Sequence, residues 1–332
     1  MVVVPRTVSS ASRGAVDRRT LLGGALLGGL GLLTGCSPVT GGGPAGTATR
    51  TLRTAYGEVA VPADPARVAC VGYYTPFQMQ ALGKRPVAVA DYTPSRAALT
   101  ADQKTFLEGL PTVGTVVTPE PERIAAARPD VILGEADYAD EDLWRVLSGI
   151  APTALFAPLD NGDWLTVAEQ VAVAVGAGDT LVDARARYAA GVDELRTRHA
   201  AALAGRRIAP ITFGGTVGEF SVLHADNPYC SILTAFGVRL ADFPSAPGDG
   251  SFTTIGIEAL GRLGDATDIL HPVRPDGGTF PAVDAVLAHP LFTRLPAARA
   301  GRVFPVVGYD VFDHATAGAA QREFAATVLG DR

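Results

Sequence analysis

The stretch from Asp179 to Ala204 constrains this 332-residue chain more than any other part of it. It holds no proline and one glycine, Gly191, and is rich in Ala, Leu, Arg and Glu, which lose little on entering a helix. Leu181, Ala184, Tyr188, Val192 and Leu195 recur every three or four positions, the period of one helix face. With a rise of about 1.5 Å per residue, such a helix spans roughly 39 Å. That length makes it a strut between two bodies rather than a connection within one.

Both flanks of the strut alternate short β-type runs with helical runs. Before it, the expected strands are Arg67–Val71, Pro86–Ala90, Thr112–Gly114, Val131–Leu133 and Thr153–Phe156. After it they are Ile208–Phe213, Phe220–Leu223, Ile269–Val273 and Val303–Val307. Alternation of this kind predicts mostly parallel sheets with helices on both faces. The expected fold is α/β: two Rossmann-like lobes, 52–178 and 205–332, joined by the single helix 179–204, with a ligand cleft between them.

The first fifty residues follow a different logic. Arg18-Arg19 precedes a 14-residue apolar run, Thr20–Leu33. A membrane-spanning helix needs roughly 20 residues, so this run suits the apolar core of an export signal. The Arg pair resembles a twin-arginine signal, and Leu33-Thr34-Gly35-Cys36 resembles a bacterial lipobox. This implies a signal peptide over 1–35, lipidation of Cys36 and a membrane anchor on the outer face of the cell. Residues 36–51 are mostly Gly, Pro, Thr and Ala without apolar periodicity and read as a flexible tether.

Composition excludes several classes. Without residues 1–35 the chain keeps 24 basic against 33 acidic residues, a poor balance for a nucleic-acid binder. The three cysteines, Cys36, Cys70 and Cys230, make no paired framework and no CxxC. All five histidines follow residue 198, so a bare zinc or manganese site fed by both lobes is not expected. A secreted hydrolase would call for a nucleophile elbow or a zinc helix, and neither GxSxG nor HExxH occurs.

Three segments resemble the solute-binding proteins of iron-siderophore and cobalamin ABC importers. Val61-Pro62-Ala63-Asp64-Pro65-Ala66-Arg67-Val68 is similar to the family's entry into its first strand. Pro119-Glu120-Pro121-Glu122-Arg123-Ile124 through Pro129-Asp130-Val131-Ile132-Leu133 resembles its most specific helix-to-strand segment, with Glu120-Pro121 where the family often has Pro-Asn. Leu295-Pro296 through Gly301-Arg302-Val303-Phe304 is the third. The resemblance spans about residues 52–330. It implies a monomeric binding protein, not an enzyme, with no cofactor of its own. Its ligand would be a ferric siderophore, a hydroxamate being slightly favoured, with haem and cobalamin as alternatives. It would deliver that ligand to an ABC permease. The family's permease-docking glutamates map onto Glu122 and Glu258.

Ligands of open α/β sheets sit beyond the carboxyl ends of strands. The residues just past the expected strands are Tyr73, Tyr74, Asp91, Tyr92, Glu135 and Tyr138 in the first lobe. In the second they are Phe213, Phe220, Phe252, Arg274 and Tyr309. Rings with one guanidinium suit a large, partly apolar chelate, and Arg274 could bond its oxygens.

Overall fold

The computed structural model describes residues 48–156, 164–216, 218–244, 250–307 and 309–331. The expected signal peptide, Cys36 and most of the expected tether lie outside them. The described chain opens with a hairpin, β1 (Thr49–Thr54) antiparallel to β2 (Gly57–Pro62), closed by Gly57 at φ +111°. Strand β1 therefore begins inside the segment expected to be tether. Leu52 and Val61, both buried, hold the hairpin to the lobe that follows.

That lobe runs β3 (Val68–Cys70), α1 (Thr75–Ala81), β4 (Ala88–Val89), α2 (Ala101–Leu107), β5 (Gly114–Thr115), β6 (Thr118–Pro119) and α3 (Pro121–Ala126). It continues through β7 (Val131–Glu135), α4 (Glu141–Ser148), β8 (Thr153–Phe156) and α5 (Trp164–Ala174). The central sheet has the order β4-β3-β7-β8 and every pair is parallel. Its strands are buried along their whole length, as sheets covered on both faces require. The expected strand Thr112–Gly114 shrinks to one bridge, Val89 to Thr112. Gly114, at φ +92°, turns the chain into the β5–β6 hairpin, and a Cβ there would lie 2.4 Å from the Thr118 carbonyl oxygen.

The strut forms as α6 (Gly178–Leu203), 26 residues long. It buries Leu181, Val192, Leu195, His199 and Leu203 along one face. Beyond it come β9 (Ile208–Phe213), β10 (Glu219–Leu223), α7 (Pro228–Ala235), β11 (Phe252–Gly256), a 3-10 helix (Ile257–Leu263), β12 (Asp268–Pro272), α8 (Pro281–Leu287), α9 (Pro296–Arg299), β13 (Val303–Val306) and α10 (His314–Val328). The second sheet has the order β11-β10-β9-β12-β13. Its β9, β12 and β13 are parallel, whereas β10 and β11 form an antiparallel flank.

Each lobe has an outer core of its own, around Ile132 and Leu155 in the first and Ile211, Phe220 and Ile269 in the second. The inner faces share a third. It runs without a break from Phe156 and Val171 through Leu195 and Leu203 of the strut to Ile232 and Phe324. Trp164 adds a hydrogen bond from Nε1 to the Ser231 hydroxyl at 3.2 Å and ring contacts with Tyr188 and His314. A close-packed core that passes through the connection resists bending, because reorienting the lobes would open voids in it. Ligand binding is therefore expected to leave the radius of gyration in small-angle scattering unchanged within error. A clear compaction on binding would show that the shared core yields.

Candidate functional site

The β3–α1 loop carries the first part of the site. Gly72 is followed at once by Tyr73-Tyr74-Thr75, and Pro76 preorganises the first turn of α1. No side chain caps α1 from its own N-cap residue, Tyr74. Glu135, the last residue of β7, reaches across to satisfy that end instead. Its carboxylate accepts the backbone N–H groups of Tyr73 (2.6 Å), Tyr74 (3.2 Å) and Thr75 (2.8 Å), and the Thr75 hydroxyl as well. A Cβ on residue 72 would stand 2.1 Å from Glu135 Oε2, so only glycine fits there. Burial raises the Glu135 pKa, and these donors oppose the rise. Glu135 is thus an anchor beneath the loop, 2% exposed, and not a ligand-facing carboxylate as the sequence suggested.

Four rings gather above that anchor. Tyr73 lies 5.0 Å from Tyr74 and 5.4 Å from Tyr92, centroid to centroid, and Phe77 lies 5.2 Å from Tyr92. Tyr92 is buried and donates its hydroxyl to the carbonyls of Tyr73 (2.6 Å) and Gly72 (3.1 Å). It shapes the loop rather than lining a cleft. Asp91 is turned locally as well, accepting the Thr93 N–H at 2.8 Å. Tyr74 and Tyr138 are half-buried, which leaves part of each ring open.

The second lobe supplies a ring that the strand-end rule does not reach. Phe312, in the segment between β13 and α10, packs on Tyr74 at 5.2 Å and Phe77 at 6.2 Å. Its carbonyl accepts Gln78 Nε2 at 2.7 Å. Phe312 therefore ties the aromatic cluster of one lobe to the other. It lies six residues past the end of β13, outside the window in which sequence reasoning searched. In the same segment Asp310 is exposed. Burial, and after it the Asp310 carboxylate, hold the Tyr73 and Tyr74 phenols above their ordinary pKa. Tyr138 is raised by burial first, then by Glu135, Asp137 and Asp310.

The remaining candidates divide. Tyr309 is half-buried and stacks on Tyr229 at 4.5 Å. Phe252 is half-buried on β11, and Phe213 meets Phe280, another ring not foreseen, at 5.4 Å. Phe220 is 0% exposed in the outer core of its lobe, so it is structural, contrary to expectation. Arg274 is occupied by its own turn. Its guanidinium contacts Asp276 at 3.3 Å, donates to the Thr279 carbonyl at 2.8 Å and lies over Gly278, where a Cβ would meet it at 2.0 Å. Glu122 and Glu258 are both exposed, each at the second position of a short helix, α3 and the 3-10 helix. Among the described residues there is no group of three or more His, Cys, Asp or Glu able to hold a metal ion.

The sequence profile of the family described as periplasmic binding protein matches residues 68–306, from the first strand of one sheet to the last strand of the other. The chain belongs to that family. A siderophore periplasmic binding protein from the fuscachelin gene cluster of Thermobifida fusca superposes with a TM-score of 0.71 at 25% identity, covering 82% of this chain and 99% of that one. Staphylococcus aureus SirA, solved with staphyloferrin B, gives 0.69 at 17% identity over 83% of this chain and 97% of that one, a likeness of fold. YhfQ of Bacillus subtilis (strain 168), provisionally named an ABC transporter substrate-binding lipoprotein, is 30% identical over 122 residues. That match takes in 36% of this chain and 38% of YhfQ. As a periplasmic binding protein, the chain has a two-lobed α/β fold with one connecting helix. Among the described residues no helix is long and apolar enough to cross a membrane.

Proposed function

We propose that the protein captures a ferric siderophore outside the cell and passes it to an ABC permease, held to the membrane by a lipid on Cys36. The observation that carries this reading is the half-buried ring of Tyr74, at the head of α1, packed on Phe312 of the other lobe and backed by the buried rings of Tyr73 and Phe77. Around it, Tyr138 and Tyr309 are half-buried, the Tyr309 hydroxyl itself being enclosed. Rings of this kind suit an apolar chelator shell wrapped around a metal. The iron would stay with its chelator and need no protein ligand.

A tris-hydroxamate fits better than a catecholate. A highly anionic chelate calls for several free basic groups, and Arg274 is already engaged by Asp276 and Thr279. Haem fits less well, since a tyrosine ligates iron as phenolate, and burial pushes the Tyr73 and Tyr74 phenol pKa values up, against that form. The test is a titration of the soluble protein starting at Ser37 with ferric hydroxamates, ferric catecholates, haem and cobalamin, followed by tryptophan fluorescence. Trp164 lies in the shared core and is the expected reporter. Saturable quenching by a ferric hydroxamate at micromolar or lower concentration is expected. Saturation by haem or cobalamin alone would overturn the assignment.

A further inference from the structure

A second recess lies beside the connecting helix, apart from the ring cluster. It holds about 710 Å³ and is lined by residues of α1, α5, α6 and α10. None of Tyr73, Tyr74, Phe77 or Phe312 lines it. Gln78 marks the boundary, since it lines the recess while its Nε2 is bonded to the Phe312 carbonyl. Two glycines leave the space open. Gly191 stands in the interior of α6, where glycine is less favourable than alanine, and a Cβ there would meet nothing within 4 Å. Gly318 lines the recess from α10. Leu82, Leu181 and Leu195 supply apolar surface.

The charges around this recess are unevenly matched. Arg187 of α6 and Arg322 of α10 both line it, both are exposed, and among the described residues neither forms an ion pair. Arg322 folds back along its own helix, for a Cβ at Gly318 would lie 3.3 Å from its Nη1. The carboxylates nearby are committed. Glu194 and Asp331 both bind Arg198, and Glu169 of α5 binds Arg185. Asp313 caps α10, accepting the Thr316 N–H at 2.7 Å, and is buried in the wall. It precedes Arg322 by nine residues, or roughly 13 Å along the helix. Burial lowers the His314 pKa, so that ring adds no charge at neutral pH. The recess thus combines an apolar surface with two guanidinium groups from different helices.

We propose that this recess is a second binding site, for a single-chain carboxylate whose alkyl tail lies on Leu82, Leu181 and Leu195 and whose head group is shared by Arg187 and Arg322. Guanidinium matches carboxylate in both charge and shape. The volume falls in the range of small-molecule pockets, roughly 300–1,000 Å³. The site lies outside the cleft and does not depend on what the cleft binds.

Calorimetric titration with decanoate, decanol and decylammonium, each below its micelle concentration, tests this. The three share one alkyl chain and differ in the charge of the head group. The wild-type protein is expected to take up a single decanoate at tens of micromolar, to bind decanol about tenfold more weakly, and to bind decylammonium weakest. Arg187→Gln with Arg322→Gln should bring decanoate and decanol within about twofold. Both arginines are exposed and unpaired, so this variant is expected to fold, which far-UV circular dichroism checks. Gly191→Leu fills the recess with no neighbour in the way of its Cβ. It should abolish binding of all three while its melting temperature stays at or above that of wild type. Its response to ferric chelates should match wild type, which separates the recess from the cleft. A wild-type protein that binds no decanoate saturably, a decanoate preference unchanged in the double arginine variant, or decanoate binding that survives Gly191→Leu overturns the proposal.

Discussion

Glu135→Leu is expected to cost about 3–5 kcal/mol of stability and to abolish ligand binding. The substitution removes the acceptor for the backbone N–H groups of Tyr73, Tyr74 and Thr75 and for the Thr75 hydroxyl. A buried donor left without a partner costs roughly 1–3 kcal/mol. Water can reach the half-exposed Tyr74 more readily than the buried Tyr73 and Thr75, so the total falls short of four full penalties. Binding suffers more than stability, because these N–H groups fix the loop that presents Tyr73 and Tyr74. Glu135→Gln keeps one acceptor oxygen and should lose about half as much. Gly72→Ala approaches the same contact from the other side, since its Cβ would lie 2.1 Å from Glu135 Oε2, and should resemble Glu135→Leu. Urea unfolding gives the stabilities, and amide exchange at 73–75 reports the loop. A Glu135→Leu protein within 1 kcal/mol of wild type, with those amides still protected, would remove Glu135 as the anchor.

Glu135 also shows where reading the sequence stops. The strand that contains it was legible because Val131-Ile132-Leu133 is an apolar run after Pro129-Asp130. The rule that ligands gather past strand ends led to the correct loops. It carries no information on which way a side chain turns at that point. The β3–α1 loop leaves three N–H groups pointing inward, so the carboxylate at the neighbouring strand end is drawn under the loop. That is a tertiary demand, invisible in the local pattern around Glu135. Its trace in the sequence is Gly72, whose missing Cβ makes room for the carboxylate.

The strut was legible for the opposite reason. From Leu181 to Leu195 every decisive property is local: helix-forming residues, no proline and one apolar face. Strands at the sheet edges were harder. The β1–β2 hairpin buries few side chains, chiefly Leu52 and Val61, so its alternation is faint among Thr, Arg and Gly. Phe252–Gly256 forms β11 at the edge of its sheet, where half-buried residues give no continuous apolar run. Phe312 escaped because it belongs to no strand end, and its partners Tyr74 and Phe77 are more than 230 positions away in the chain.

Reversing the two carboxylates proposed to dock the permease, Glu122→Arg with Glu258→Arg, is expected to abolish uptake and leave ligand affinity intact. The topology gives the two residues equivalent places. Glu122 is the second residue of α3, which leads into β7, and Glu258 is the second residue of the 3-10 helix, which leads into β12. A helix that delivers the chain to the amino end of a parallel strand starts towards the carboxyl end of the sheet. Both carboxylates are thereby placed at the edge of their lobes where the strands end. Both are exposed and neither pairs with a described cation, since Arg123 beside Glu122 is taken by Glu120 at 2.8 Å. Like charges forced together across an interface cost several kcal/mol, and two such pairs would weaken docking by about a thousandfold or more. Within the protein nothing is lost, because exposed carboxylates without partners contribute little to stability. Radiolabelled iron uptake should fall to the level of a strain lacking the protein, while the quenching titration of the purified variant stays within about twofold of wild type. Each single reversal should give partial uptake. Uptake that survives the double reversal would show that the permease grips the lobes elsewhere, and lost ligand binding would move these glutamates from docking to the cleft.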